Sequence, residues 1–213
     1  TRDADLLGFG SSDIGDIRSV FAELLAMQAE DGLVFDADTL SVGPIRAVDA
    51  YGGLEVKCLA WISGARISVH IDIGFGDVIT PAADEVTFPN LLPDFPAPHI
   101  RAYPVYTAMA EKIEAAVRLD ATNTRMKDFF DLWFMSSRFD VDMQMLRQAV
   151  RATCKRRGTT LPSTTPHAFT SAFAAQKEQA WKQFLKRNNL REPCGSFEGL
   201  IDYLAEKLSP IWK

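Results

Sequence analysis

Two runs of alternating residues, LEVKCLAWI at 54–62 and ARISVHIDIGF at 65–75, are separated only by Ser63-Gly64. No other feature restricts the fold as strongly. Period-two hydrophobicity on both sides of a two-residue turn predicts an antiparallel hairpin. It also assigns each residue a face. Ile67, Val69, Ile71 and Ile73 fall on the core face, whereas Ser68, His70, Asp72 and Gly74 fall on the polar one. A carboxylate in so apolar a strand is costly unless it is paired, metal-bound or wet. Asp72 is therefore either a site residue or an edge-strand acid facing water.

The flanking sequence decides what the hairpin can join. Residues 11–30 carry Ile14, Ile17, Phe21, Leu24 and Leu25 at helical spacing, with Ser11 or Ser12 as the cap. Residues 31–53 read as short strands and turns. Pro81, Pro89, Pro93, Pro96, Pro98 and Pro104 make 76–104 mostly loop. From Pro104, a residue tolerated in a first helical turn, five helices are expected: 104–119, 124–139, 141–157, 165–190 and 197–208. The expected class is α+β: a mixed or antiparallel sheet with helices, then an all-helical C-terminal half. The expected domains are 1–103 and 104–213.

Charge sharpens this division. The net charge of −5 by itself argues against a generic nucleic-acid binder. Yet residues 1–142 hold 11 Lys+Arg against 23 Asp+Glu, and residues 143–213 hold 12 against 5. An acidic working half joined to a basic binding half fits this asymmetry, and so do two solvated surfaces of opposite sign. No apolar stretch reaches the roughly 18 residues of a membrane span, and no basic-then-apolar leader is present. Cys58, Cys154 and Cys194 lack zinc-like spacing, so free thiols in a reducing cytoplasm are expected.

Four segments could carry chemistry. In Thr1-Arg2-Asp3-Ala4-Asp5 a strand would place Asp3 and Asp5 on one face. Two such acids suit a divalent cation or a solvated strand end. Asp72 stands where a third carboxylate of a metal site would sit. In Ala110-Glu111-Lys112, Lys112 borders the apolar stripe of Ala108, Met109, Ile113 and Ala116. It could meet a phosphate or pack its stem with the ammonium in water. In Asn123–Trp133, Asp128 and Asp131 share a helical face, and Lys127 and Asp131 could form a surface pair. In the basic half, Lys155, Arg156, Arg157, Lys182, Lys186, Arg187 and Arg191 could hold RNA phosphates. Trp181 and Phe184 among them sit at core spacing.

TRDADLLG, VHIDIGFGD, YPVYTAMAEKIEA and NTRMKDFFDLW, in this order, resemble the AbiEii/AbiGii toxin family. These are nucleotidyltransferases of abortive-infection and type IV toxin–antitoxin systems in bacteria, similar to the DNA-polymerase-β-like superfamily. The resemblance covers most of 1–160. It implies transfer of NMP from an NTP to an acceptor such as tRNA or another RNA, with Mg²⁺ or Mn²⁺ on Asp3, Asp5 and Asp72. It implies a catalytic set of those three acids with Lys112 and Asp131. Nucleotide contacts would come from Lys112, Lys127 and Asp128, and a cognate antitoxin would be encoded nearby. The family's Gly-rich segment lies upstream of the Asp-x-Asp, so an N-terminally incomplete core is expected. The competing expectation is a catalytically degenerate scaffold that binds RNA or protein.

Overall fold

The structure, a computed structural model, describes residues 4–45, 53–90, 92 and 94–213. Asp3 and residues 46–52, part of the stretch expected to hold short strands and turns, lie outside the described residues. The expected α+β class is what the chain adopts, and it divides into two units, Thr1–Asp77 and Val78–Lys213.

The first unit is built on the hairpin. Strands β3 (Leu54–Ile62) and β4 (Ala65–Phe75) pair antiparallel. Ser63 and Gly64 take positive φ values of 46° and 83°, the primed geometry that matches strand twist. β1 (Ala4–Gly8) runs parallel to β4, and β2 (Leu33–Pro44) antiparallel to β3, so the order is β1-β4-β3-β2. Helix α1 (Ile14–Ala26) connects the two edge strands. Its Ile17, Phe21 and Leu25 pack on Leu40, Val42, Leu54, Val56 and Ile73.

Three local expectations are corrected. Asp13, not Ser11 or Ser12, caps α1, accepting from the amides of Gly15 and Asp16, while Ser11 Oγ accepts from Asp13 N. A carboxylate is the stronger acceptor for first-turn amides. β2 is one twelve-residue strand rather than short pieces, because a bulge between Asp36 and Ser41 absorbs its irregularity. Thr39 Oγ1 donates to Asp36 O at 2.6 Å and accepts from Leu59 N at 2.9 Å, filling the broken ladder. On β4 the core face closes only toward its end: Ile73 is buried, but Ile67 is 38% exposed.

In the second unit, short strands β5 (Asp84–Thr87) and β6 (His99–Ala102) pair within the proline-rich stretch. The helices follow as α2 (Val105–Leu119), α3 (Met126–Arg138), α4 (Met143–Arg157), α5 (Ser171–Asn188) and α6 (Phe197–Leu208). Pro104 caps α2 instead of opening it, and its carbonyl accepts from Thr107 and Ala108. The core centres on Phe129, fully buried, whose ring meets Phe169, Phe173 and Phe197 with centroids 5.3–6.0 Å away. Phe129→Ala should cost roughly 3–5 kcal/mol in urea unfolding. A loss below about 1 kcal/mol would show that the helices do not depend on this contact.

Candidate active site

The sheet brings acids together that are far apart in sequence. In the parallel β1–β4 ladder Asp5 lies directly opposite Asp72, and across the hairpin Glu55 is the register partner of Asp72. All three project from the face opposite Leu54, Val56 and Ile73. Like charges at facing positions repel, and hard oxygen donors suit Mg²⁺ or Mn²⁺. The donor chemistry of Asp5 and Asp72 therefore fits a divalent cation. Among the described residues no group of three or more His, Cys, Asp or Glu is gathered closely enough to hold one, and Asp3 is outside that set. Glu55 was missed in the sequence. Counting back from the Ser63-Gly64 turn pairs Glu55 with Asp72 and would have found it. Its Oε1 also meets Lys57 Nζ at 2.7 Å.

In the second unit, the Lys112 ammonium on α2 sits 3.4 Å from Asp128 Oδ1 and 3.1 Å from Asp131 Oδ2 on α3. Arg125 Nε lies 2.7 Å from Asp128 Oδ2, and Lys127 Nζ donates to Asp131 Oδ2. The helical spacing of Asp128 and Asp131 thus aims one lysine, and the expected Lys127–Asp131 pair forms alongside it. Three cations on two carboxylates leave a formal excess of one positive charge. Asp128 is nearly buried, Asp131 and Lys112 are about a quarter exposed, and Arg125 and Lys127 are more than half exposed. The group is held rigidly on one side and is open on the other.

The basic residues separate into two kinds. Lys155, Arg156, Lys182, Lys186, Arg187 and Arg191 are exposed, with Lys182 Nζ 2.9 Å from Glu178. Arg157 instead turns inward. Its Nη1 donates to Glu114 Oε2 at 3.0 Å, and its Nη2 lies 3.5 Å from Glu111. Glu114 is fully buried and also accepts from Arg118 Nε and Thr159 Oγ1. Burial pushes the neighbouring Cys154 thiol up to about 11, with Glu114 adding to the rise and Arg157 opposing it. Trp181 is core, stacked on Phe197 at 4.8 Å, whereas Phe184 is only half-buried.

The family model described as nucleotidyl transferase AbiEii toxin, type IV TA system, matches residues 1–202. Among solved structures the chain is similar to JHP933 from Helicobacter pylori, with 12% identity and a TM-score of 0.52 over 100% of this chain and 75% of that one. It is similar to a candidate nucleotidyltransferase from H. pylori, with 12% identity and a TM-score of 0.51 over 100% of this chain and 78% of that one. At that identity the likeness is one of fold. No curated protein sequence matches. No described helix is long and apolar enough to cross a membrane.

Arg157→Met leaves the buried Glu114 with Arg118 and Thr159 alone and should cost roughly 1–3 kcal/mol in denaturant unfolding. Lys155→Ala, two residues away on the exposed side, should leave the midpoint unchanged. Similar small effects for both would remove the structural role assigned to Arg157.

Proposed function

This chain belongs to the AbiEii nucleotidyl transferase toxin family of type IV toxin–antitoxin systems, and from that premise we propose that it transfers a nucleoside monophosphate from an NTP to a hydroxyl of an RNA acceptor such as tRNA, restrained by a cognate antitoxin. The observation that carries the reading is the register of Asp5 with Asp72. It sets two oxygen donors side by side on adjacent strands. With Asp3 as the third carboxylate, they would hold Mg²⁺ or Mn²⁺. A divalent ion bound there would neutralise triphosphate charge and lower the pKa of the attacking hydroxyl.

The chain's own residues do the remaining work. Lys112 offers an ammonium, held in place by Asp128 and Asp131, to the oxygens of the departing pyrophosphate. There it acts most strongly as charge develops. Asp131 acts through Lys112 and is a positioning residue. The acceptor oxygen forms its bond to the α-phosphorus as the bond to pyrophosphate breaks. Lys155 and Arg156 on α4, with Lys182 and Lys186 on α5, would track the acceptor's phosphates, a contact weakened by salt. By role, residues 1–103 form the metal-binding half and 104–213 the phosphate- and RNA-binding half.

With Mg²⁺, labelled NTP and RNA, the full chain should label RNA, and EDTA should stop it. Lys112→Ala and Asp72→Asn should each slow transfer about 10²–10³-fold with little change in melting temperature. Asp131→Asn should raise the KM for NTP more than it lowers kcat. Undiminished transfer in both Lys112→Ala and Asp72→Asn would contradict these assignments.

A further inference from the structure

A cleft of about 380 Å³ opens between the start of α3 and the last turns of α5. Thr124, Arg125, Lys127, Gln183, Phe184, Arg187 and Asn188 line it, together with Met126 and Ala180. Lys112 is not among these residues. The volume lies within the usual range for small-molecule sites and exceeds what an inorganic phosphate needs.

Its walls combine three kinds of group. Arg125 turns its Nε toward Asp128, which leaves its terminal nitrogens for a ligand. Lys127 spends one donor on Asp131 and keeps two. Arg187 has no ion pair or hydrogen bond among the described residues, so its whole guanidinium fork is available for a bidentate phosphate contact. Phe184 forms an aromatic wall. Its ring is backed by Phe130 and Trp181, with centroids at 6.0 and 5.5 Å, and is therefore fixed before any ligand arrives. Asn188 Nδ2 donates to Phe184 O at 2.8 Å, which leaves Asn188 Oδ1 as an acceptor, and Gln183 adds a second amide to the lining. Cations for a phosphate, a supported ring for a base and amides for its edges are the elements of nucleotide recognition.

We infer that this cleft binds one nucleotide unit, its phosphate on Arg125, Lys127 and Arg187 and its base against Phe184. The unit can be a free nucleoside monophosphate or the nucleotide at the end of an RNA strand. The inference rests on the cleft alone and not on the transfer reaction, and AMP lacks the pyrophosphate that Lys112 is assigned to meet.

Calorimetry on the full chain tests it with AMP, inorganic phosphate, phosphotyrosine and a single-stranded tetraribonucleotide. AMP or the tetranucleotide should bind about tenfold or more tightly than phosphate, as expected for one stacked base. Tighter binding of the tetranucleotide assigns the site to an RNA end, and equal or weaker binding assigns it to the free nucleotide. Arg187→Ala, an exposed substitution that leaves the core intact, should weaken binding about tenfold. Phe184→Leu should remove the advantage over phosphate, and Lys112→Ala should preserve AMP binding. The inference is overturned if AMP and the tetranucleotide both fail to bind at millimolar concentration. It is also overturned if phosphotyrosine binds more tightly than either, or if Lys112→Ala abolishes binding that Arg187→Ala leaves intact. A loss of RNA labelling in Lys112→Ala with AMP binding retained separates this site from the transfer reading.

Discussion

The parallel pairing of β1 with β4 sets Asp5 beside Asp72, and the acidic half of the protein depends on it. The position of β4 is enforced from the opposite face. Ile73 packs with Leu54 and Val56 under α1, whereas Leu6, its register partner on β1, is half exposed. A one-residue slip of β4 against β3 would turn Ile73 to water, so burial fixes where Asp72 stands, and the β1–β4 ladder brings Asp5 to it. Folding thus sets two carboxylates at one register position on adjacent strands, hard oxygen donors of the kind a divalent cation takes.

The helical unit solves a related problem in a different way. Glu114 is buried, yet it gathers Arg118, Arg157 and Thr159. This network joins α2 to the end of α4 and uses one member of a basic cluster that charge counting would send to solvent. Lys112, two residues before Glu114, faces α3 instead and is held by Asp128 and Asp131. Neighbouring positions on one helix therefore serve a buried charge network and a partly open ion-pair cluster separately, because the helical turn points them at different partners.

The hairpin, its turn and the five helices were legible because each is a local pattern, either a period of two with a turn or a period near 3.6. That Asp72 lies on a strand beside that of Asp3 and Asp5 was expected, but the register that sets Asp5 opposite Asp72 was not legible, since parallel pairing across an intervening helix and two strands leaves no local signature. The continuity of β2 was hidden for a similar reason, resting on a bond that Leu59 N donates to Thr39 Oγ1. Spacing showed that Asp128 and Asp131 share a face, but only the packing of α2 against α3 revealed that they hold Lys112. Arg157 could not be told from Lys155 by composition. Its helical phase aims it at Glu114.

A divalent-cation site on Asp5 and Asp72 is what the β1–β4 register would build. It is tested most directly by titrating the ¹⁵N-labelled full chain with Mn²⁺ and following paramagnetic broadening of the amide resonances. The account predicts that the amides around Asp5 and Asp72 broaden first and that Asp72→Asn removes this broadening. Broadening centred elsewhere, or unaffected by Asp72→Asn, would contradict it.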